Sequence, residues 1–300
     1  MDILLTGASG FLGKSIYNEL ISNNNVFTLS RTSGDFKLSL EKESPIFVNN
    51  FDLVIHAAGK AHTVGKSDID KKEFELINIL GTQNLLKSLD LIQVPKYFIF
   101  ISSVAVYGIE QGHEVDENHE LQANDPYGLS KIAAEMLVYN WCIKNNVVCT
   151  ILRLPLIIGP NPVGSFASMI NGIKRGYYFN IRGVSAKKSM VLADDISKFI
   201  LKVAHIGGVY NLTDGYHPSF NELSEIIALM VDKSKPRQIP YLIVNFMAKV
   251  GDFVGGFSPL NSKILTKMTF DLTFNDSKAR KEAGWNPTPV LIGIKSINFL

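Results

Sequence analysis

The chain opens on a short apolar run, 3–6, that breaks at a glycine. After a glycine-rich turn it resumes as an amphipathic pattern over 12–23, and a second apolar run covers 26–30. The runs 53–57 and 98–102 are continuous in apolar character rather than alternating. That is the signature of strands covered on both faces of a parallel sheet. Helical spacing over 74–89 separates them, and a longer helix is predicted over 126–145. Asn124 or Asp125 suits its N-cap and Pro126 its first helical position. A further strand follows at 147–154. This alternation predicts an α/β fold built on a doubly wound parallel sheet.

After Pro155 the texture changes. Gly159, Pro160, Pro162, Gly164, Gly172, Gly176 and Gly183 cut the chain into shorter pieces. A helix over 194–204 and a strand over 209–212 are expected to rejoin the sheet, and 221–232 reads as another helix. From Phe270 onward the pattern is loop, short helix and loop. No internal repeat or low-complexity segment appears.

With 300 residues, 46% of them hydrophobic, the chain can form one large α/β unit or two lobes around a sizeable core. Thirty basic residues against 28 acidic give a net charge of +2, with no basic stripe of the kind nucleic acid demands. Nucleic acid is therefore not an expected partner. The two cysteines, Cys142 and Cys149, form neither a disulfide framework nor a metal spacing and read as thiols of a reducing compartment; no metal is expected. The N-terminus enters a strand at once, without the pattern of a signal peptide. The most apolar late stretch, 241–257, carries Lys249, Asp252 and several glycines, and no uncharged run reaches membrane length. It reads as a partly buried helix with an irregular end, a membrane-contacting helix being the alternative. The expected location is the cytoplasm, with no membrane span.

Thr6-Gly7-Ala8-Ser9-Gly10-Phe11-Leu12-Gly13 follows the first strand and opens the first helix. Gly7 allows the tight turn, Gly10 lets backbone approach a pyrophosphate, and Gly13 lets helix pack on strand. The helix N-terminus offers free N–H groups and the positive end of a dipole to an anion. Because the motif stands at the start of a βαβ unit, where that mechanism needs it, it points to a dinucleotide. Ser9, Phe11 and Leu12, in the same loop, are candidate cofactor-binding residues with the three glycines. A carboxylate after the second strand would favour NAD(H), and an arginine would accommodate the 2′-phosphate of NADP(H). Arg31 stands there, 18 residues after Gly13, so NADP(H) is preferred and NAD(H) is the alternative. Asp35 is a candidate for the adenine amino group, or a turn aspartate. The expected organisation is a Rossmann dinucleotide-binding domain over 1–157 and a smaller, interleaved substrate lobe over 158–300, with 189–212 returning to the sheet.

Tyr127 and Lys131 are spaced i, i+4 in the first turns of the helix at 126–145, on one face. A phenol with a pKa near 10 is a poor acid–base group at neutral pH. A neighbouring ammonium and a helix N-terminus would lower that value. The tuned phenol could then exchange a proton with a carbonyl or alcohol. Ser103, 24 residues before Tyr127, lies at the C-terminal end of the strand 98–102, where open α/β sheets bind ligands. Ser102 reads as a cap.

The chain resembles the extended short-chain dehydrogenase/reductases, in the branch acting on nucleotide sugars. The resemblance rests on TGASGFLG at 6–13, HAAG at 56–59, NILGTQNLL at 78–86, SSVAVYG at 102–108, YGLSK at 127–131 and LRLPLIIGP at 152–160. KSMVLADD at 188–195, VYNLTDG at 209–215 and NDSKARKEAGWNP at 275–287 continue it in family order. It implies that Tyr127 is the acid/base, in contact with both cofactor and substrate, that Lys131 binds the nicotinamide ribose and tunes the tyrosine, and that Ser103 holds the reacting oxygen. It also implies that Ala57, Ala58 and Gly59 line the cofactor, that Asn78 is structural or cofactor-side, and that Pro155 lies near the nicotinamide. Lys188 replaces an arginine of many relatives and would offer charge to a diphosphate, without a bidentate fork. Family members often dimerise through the helix that here carries Tyr127, so a homodimer is an expectation.

Departures narrow the reaction. The family's 4,6-dehydratases carry Thr-Asp-Glu where this chain has Ser103, Val104 and Ala105, so dehydration lacks its carboxylate. The 4-epimerases carry serine there, but usually with an acid after the second strand where this chain has Arg31. The expected activity is reduction of a 4-keto nucleotide sugar with NADPH in polysaccharide synthesis. The segment from Pro259 to Lys267 and the following tail resemble reductases of UDP-linked 4-keto-6-deoxy amino sugars. The alternative enzyme is an NAD-dependent 4-epimerase of a UDP-hexose or UDP-N-acetylhexosamine. A non-enzymatic alternative is a binding protein that senses dinucleotide redox state, and the intact Tyr127 and Lys131 speak against it.

Overall fold

A seven-stranded, wholly parallel sheet organises the protein. The computed structural model describes residues 1–60, 68–254 and 260–299. In chain order the first part comprises β1 (Asp2–Thr6), α1 (Phe11–Leu20), β2 (Asn25–Ser30), β3 (Phe36–Lys37), β4 (Leu53–His56), α2 (Asp68–Phe74), a π-helical turn (Glu75–Leu80), α3 (Gly81–Leu89) and β5 (Tyr97–Ser103). A 3-10 turn (Val104–Tyr107), β6 (Gly112–Val115), α4 (Pro126–Lys144), β7 (Val148–Leu154) and β8 (Leu156–Ile158) follow. Then come α5 (Gly164–Lys174), β9 (Phe179–Arg182), β10 (Met190–Leu192), α6 (Ala193–Ala204), β11 (Gly208–Asn211) and α7 (Phe220–Met230). The chain continues through β12 (Arg237–Pro240), α8 (Tyr241–Val254), α9 (Ser262–Thr269), β13 (Leu272–Phe274), α10 (Ser277–Ala283) and α11 (Val290–Gly293).

The large sheet runs β11-β7-β5-β4-β1-β2-β3. Successive strand residues point to opposite faces, and each face has its own core. Ile3, Leu5, Ile55, Ile99 and Leu152 pack against α1 and α6, while Leu4, Val54, Phe98, Phe100 and Ile151 pack against α3 and α4. Both faces are thus covered by helices, which is why the central strands read as unbroken apolar runs.

The helix predicted over 74–89 differs from expectation. It starts earlier, at Asp68, and is interrupted by the π-helical turn before continuing as α3. The wider turn carries Asn78, which is buried and hydrogen-bonded to the Lys60 carbonyl and the Ser130 hydroxyl.

Beyond β7 the short pieces pair locally. β10 joins β8, β12 joins β9 and β13 joins β6, all in parallel. Three to four residues long, these strands carry no recognisable period, and the sequence does not predict them. The glycine-rich segment also contains α5, with Phe166, Ile170 and Ile173 buried against α7 and α11. The apolar stretch 241–257 is helical through Val254; residues 255–257, with Pro259, lie outside the described residues. Among the described residues no helix is long and apolar enough to cross a membrane.

Candidate active site

The loop between β1 and α1 is shaped by glycine. Gly7 has φ +72°, and a Cβ there would stand 2.6 Å from the Ala58 nitrogen. A Cβ on Gly13 would stand 2.1 Å from the Gly7 carbonyl oxygen. Neither position can take a side chain without moving backbone. Gly10 caps α1, and no side chain bonds the helix N-terminus there. A helix N-terminus left without a side-chain cap presents N–H groups and the positive end of its dipole, which suit an anion. Ser9 is exposed at the rim, Phe11 is half-buried with its ring against Gly159, and Leu12 is buried in the core below.

Beneath this loop runs a buried polar chain. The Thr82 hydroxyl donates to the Asn78 carbonyl at 2.7 Å, so it accepts from His56 Nε2 at 2.9 Å. His56 Nδ1 then accepts from the Thr6 hydroxyl at 2.7 Å, which itself accepts from the Ala58 N–H at 3.1 Å. The ring is neutral: burial, then the charge of Lys131, lowers its pKa to about 3. This chain ties the first glycine turn to the Ala57–Gly59 segment and to the π-helical turn. Asn78 extends it, accepting from the Lys60 N–H at 2.7 Å and donating to the Ser130 hydroxyl at 2.9 Å.

Ser103, Tyr127 and Lys131 come together where β5 ends and α4 begins. Asp125 caps α4 by accepting from the N–H groups of Tyr127 and Gly128, with Pro126 in the first turn. The Tyr127 hydroxyl is hydrogen-bonded to Ser103, and its ring lies 5.6 Å from Phe74. Lys131 is buried; its Nζ donates to the Ile101 carbonyl at 2.9 Å and lies over the Phe100 ring. A Cβ built on Gly59 would stand 3.4 Å from that Nζ and 3.0 Å from Asn78 Oδ1, so the HAAG segment and the lysine share one wall.

The electrostatics differ from the sequence expectation. Tyr127 is pushed above its ordinary pKa, chiefly by burial, which outweighs the bond from Ser103. Lys131 is lowered to about 8 by burial, partly offset by Glu135. The ammonium is directed to Ile101 and does not contribute to the tyrosine's shift, so the expected acidification of the phenol does not occur in this structure.

Glu135 and Arg153 were not foreseen. Glu135 lies four residues beyond Lys131 on the same helical face, and Arg153 is a charge in an otherwise apolar strand; both were visible signals. The pair is buried and bidentate, at 3.1 and 2.8 Å. Ser102 donates to the same carboxylate, and Arg153 also donates to the Tyr107 hydroxyl at 3.1 Å.

The remaining candidates lie around this centre. Arg31 is exposed just after β2. Asp35 accepts from both the backbone and the hydroxyl of Thr28 at 2.8 Å, which braces the loop, the turn role being the one the structure shows. Pro155 is half-buried between β7 and β8. Lys188 lies just before β10; it is buried and donates to the Phe270 carbonyl at 2.7 Å. Burial lowers its pKa to about 8.

A model of the NAD dependent epimerase/dehydratase family matches residues 3–212. The chain belongs to this family. It is an NAD(P)-dependent enzyme of the extended short-chain dehydrogenase/reductase type, in a group of nucleotide-sugar epimerases, dehydratases and reductases. A GDP-6-deoxy-D-mannose reductase of Pseudomonas aeruginosa is 30% identical over 241 residues, covering 75% of this chain and 79% of the relative. A UDP-glucose 4-epimerase of Vibrio cholerae is 26% identical over 97% of this chain and 92% of its own. The fold matches a structure of RMD from Pseudomonas aeruginosa complexed with NADPH, with a TM-score of 0.76 and 22% identity over 98% of this chain and 97% of that one.

Proposed function

We propose that this family member is an NADPH-dependent reductase of a 4-keto nucleotide sugar, with a UDP-linked 4-keto-6-deoxy amino sugar as the first candidate. The observation that carries the reading is the Ser103–Tyr127 pair at the end of β5, followed by Val104 and Ala105 instead of carboxylates. An elimination needs an acid and a base beside the reacting carbons, and these positions supply neither. Reduction needs only an oxygen-binding pair with a proton to give.

The glycine cradle, Ala57–Gly59 and Asn78 would hold the dinucleotide, with Arg31 at the adenosine ribose and Asp35 at the loop beneath it. Pro155 would lie toward the nicotinamide. When bound, the cofactor supplies hydride to C4 of the sugar. Ser103 would orient the keto oxygen by donating to it, and Tyr127 would deliver the proton. Burial keeps that phenol protonated, which suits it as a donor. Lys131, close to Gly59, would bind the ribose hydroxyls, and Lys188 would turn from Phe270 to the diphosphate. In this reading residues 1–157 carry the dinucleotide and 158–300 the sugar nucleotide. Leu129, Met136 and Ile143, exposed at seven-residue intervals on α4, would form a homodimer contact.

The deciding experiment assays UDP- and dTDP-sugars and their 4-keto forms with NADH and NADPH, with products read by mass spectrometry. Oxidation of NADPH with a two-hydrogen mass gain supports reduction. The second reading, a UDP-hexose or UDP-N-acetylhexosamine 4-epimerase, draws on the near full-length match to the Vibrio cholerae epimerase. Isolation with bound NAD and epimer interconversion without added cofactor would establish it over the reductase.

A further inference from the structure

Helix α8 (Tyr241–Val254) carries an outward face that the catalytic reading does not use. Its inward contacts are small: only Val244, Ala248 and Gly251 are buried, against β9, β12 and α9. At 100° per residue, Leu242, Ile243, Phe246, Val250, Phe253 and Val254 fall on one continuous arc of about 120° opposite that stripe. All six are exposed, Leu242 at 79%, Phe246 at 69% and Phe253 at 96%. A single exposed leucine would call for no account; a contiguous apolar arc on one helix does.

One edge of the arc is cationic, and two further cations lie on the strands beneath the helix. Lys249 is exposed on α8 itself, next to the arc's edge on the same projection. Arg182, exposed, pairs in register with Pro240 immediately before the helix, and Arg237 is exposed at the start of β12. The only acid on the helix, Asp252, is engaged by the backbone and hydroxyl of Ser262. An apolar arc with a lysine at its edge and two exposed arginines on the strands that lead into the helix, on a helix of 14 residues that is too short to span, has the form of a helix lying in the plane of a membrane interface. These cations complement anionic headgroups.

From this arc and the cations beside it we infer that α8 docks the protein on an anionic phospholipid bilayer, with Leu242, Phe246 and Phe253 inserted at the headgroup–acyl boundary. The helix packs on α9, whose Lys267 is close enough to influence Lys188, so docking through α8 places the substrate lobe on the membrane side.

The test is flotation of the full chain with mixed phosphatidylcholine/phosphatidylglycerol vesicles and with phosphatidylcholine alone, at low and high salt. The wild type is expected to co-float with the anionic vesicles. A Leu242→Gln/Phe246→Gln/Phe253→Gln variant should partition at least about tenfold less. Because that variant alters three positions, Phe253→Trp gives an independent readout, its emission shifting to the blue and being quenched by brominated lipid. Failure of the wild type to float together with an unshifted, unquenched indole overturns the inference. So does light scattering that shows a wild-type oligomer which the triple variant dissociates, since the arc would then cover a second copy. Vesicle binding is read without turnover, so its failure leaves the catalytic proposal standing, and the reverse.

Discussion

Arg153 holds both carboxylate oxygens of Glu135 in a buried pair that fastens α4 to β7. Removing one partner of such a pair leaves the other charge uncompensated, at a cost of about 3–5 kcal/mol. Arg153→Met is therefore expected to lower the urea unfolding free energy by that amount, and Arg153→Met/Glu135→Leu to recover much of it. Glu135→Gln has a second, distinct readout. The carboxylate raises the pKa of Lys131 against the burial that lowers it to about 8, so its neutralisation should move the lysine's titration to lower pH. A titration unchanged in the Gln variant would sever the proposed link from ion pair to lysine.

The Thr6–His56–Thr82 chain makes stability depend on pH. An unfolded histidine titrates near 6.5, whereas burial and Lys131 lower folded His56 to about 3. Above pH 6.5 both states are neutral at this ring and its contribution is complete. As pH falls from 6.5 towards 3, the unfolded chain takes up a proton that the folded chain refuses. Stability should drop by about 1.4 kcal/mol per pH unit from this group. Urea unfolding at several pH values in that window would measure it. His56→Gln, which can still offer a donor and an acceptor to the two threonines, should remove that part of the slope.

The same chain shows where sequence reading stops. The central strands and α4 were legible because burial on both faces, or a cap followed by proline, writes itself into consecutive residues. Gly7 and Gly13 were legible because their spacing carries a steric requirement that the structure displays as Cβ clashes. The role of Asn78 as the junction between Lys60 and Ser130 was not, since a π-helical turn has no period in a stretch this short. The short paired strands beyond β7 are not legible for a related reason: β10 needs β8, and β12 needs β9, across long separations. The direction of the Tyr127 shift failed on another ground. Spacing put a lysine at i+4 but could not reveal that its ammonium bonds Ile101.

Gly13→Ala should strike the cofactor cradle rather than the chemistry. The added methyl would meet the Gly7 carbonyl oxygen at 2.1 Å, a backbone atom that cannot swing aside, so α1 must retreat from the loop. The expected result is at least a tenfold weaker dinucleotide affinity, about 1.4 kcal/mol, by fluorescence titration. Gly10→Ala should be milder in the folded protein alone, its nearest contact being 3.1 Å, and still harmful to binding if the pyrophosphate approaches there. Equal dinucleotide affinity in both variants and the wild type would remove the cradle from its proposed role.

Arg31 tests the cofactor preference. It is exposed after β2, so its replacement should leave folding almost untouched. Arg31→Ala is expected to raise KM for NADPH about tenfold or more through loss of a charged hydrogen bond to the 2′-phosphate, with little change for NADH. Kinetics with both cofactors measure this directly. An unchanged KM for both would assign Arg31 to the solvent surface, and an equal rise for both would place it against a part the two cofactors share; either result removes the preference for NADPH.

Tyr127 and Lys131 together predict the pH profile of reduction. Burial holds the phenol above its ordinary pKa, so the proton donor stays loaded across neutral pH, while Lys131 at about 8 starts to lose its charge just above that range. With reduction as the measured direction, kcat/KM should fall on the alkaline side with an apparent pKa near that of Lys131, ahead of any tyrosine titration. Tyr127→Phe should reduce kcat by about 10²–10⁴-fold, the span of a positioned acid–base group. Dinucleotide affinity should persist, because the phenol's proposed partner is the sugar oxygen. Ser103→Ala removes one neutral hydrogen bond and should cost about tenfold. It should also raise the Tyr127 pKa further, since the serine bond lowers it. Turnover retained in Tyr127→Phe would move the acid–base role to another group, whereas a wild type that binds the dinucleotide but turns over none of these sugars would favour a dinucleotide-binding protein over either enzyme.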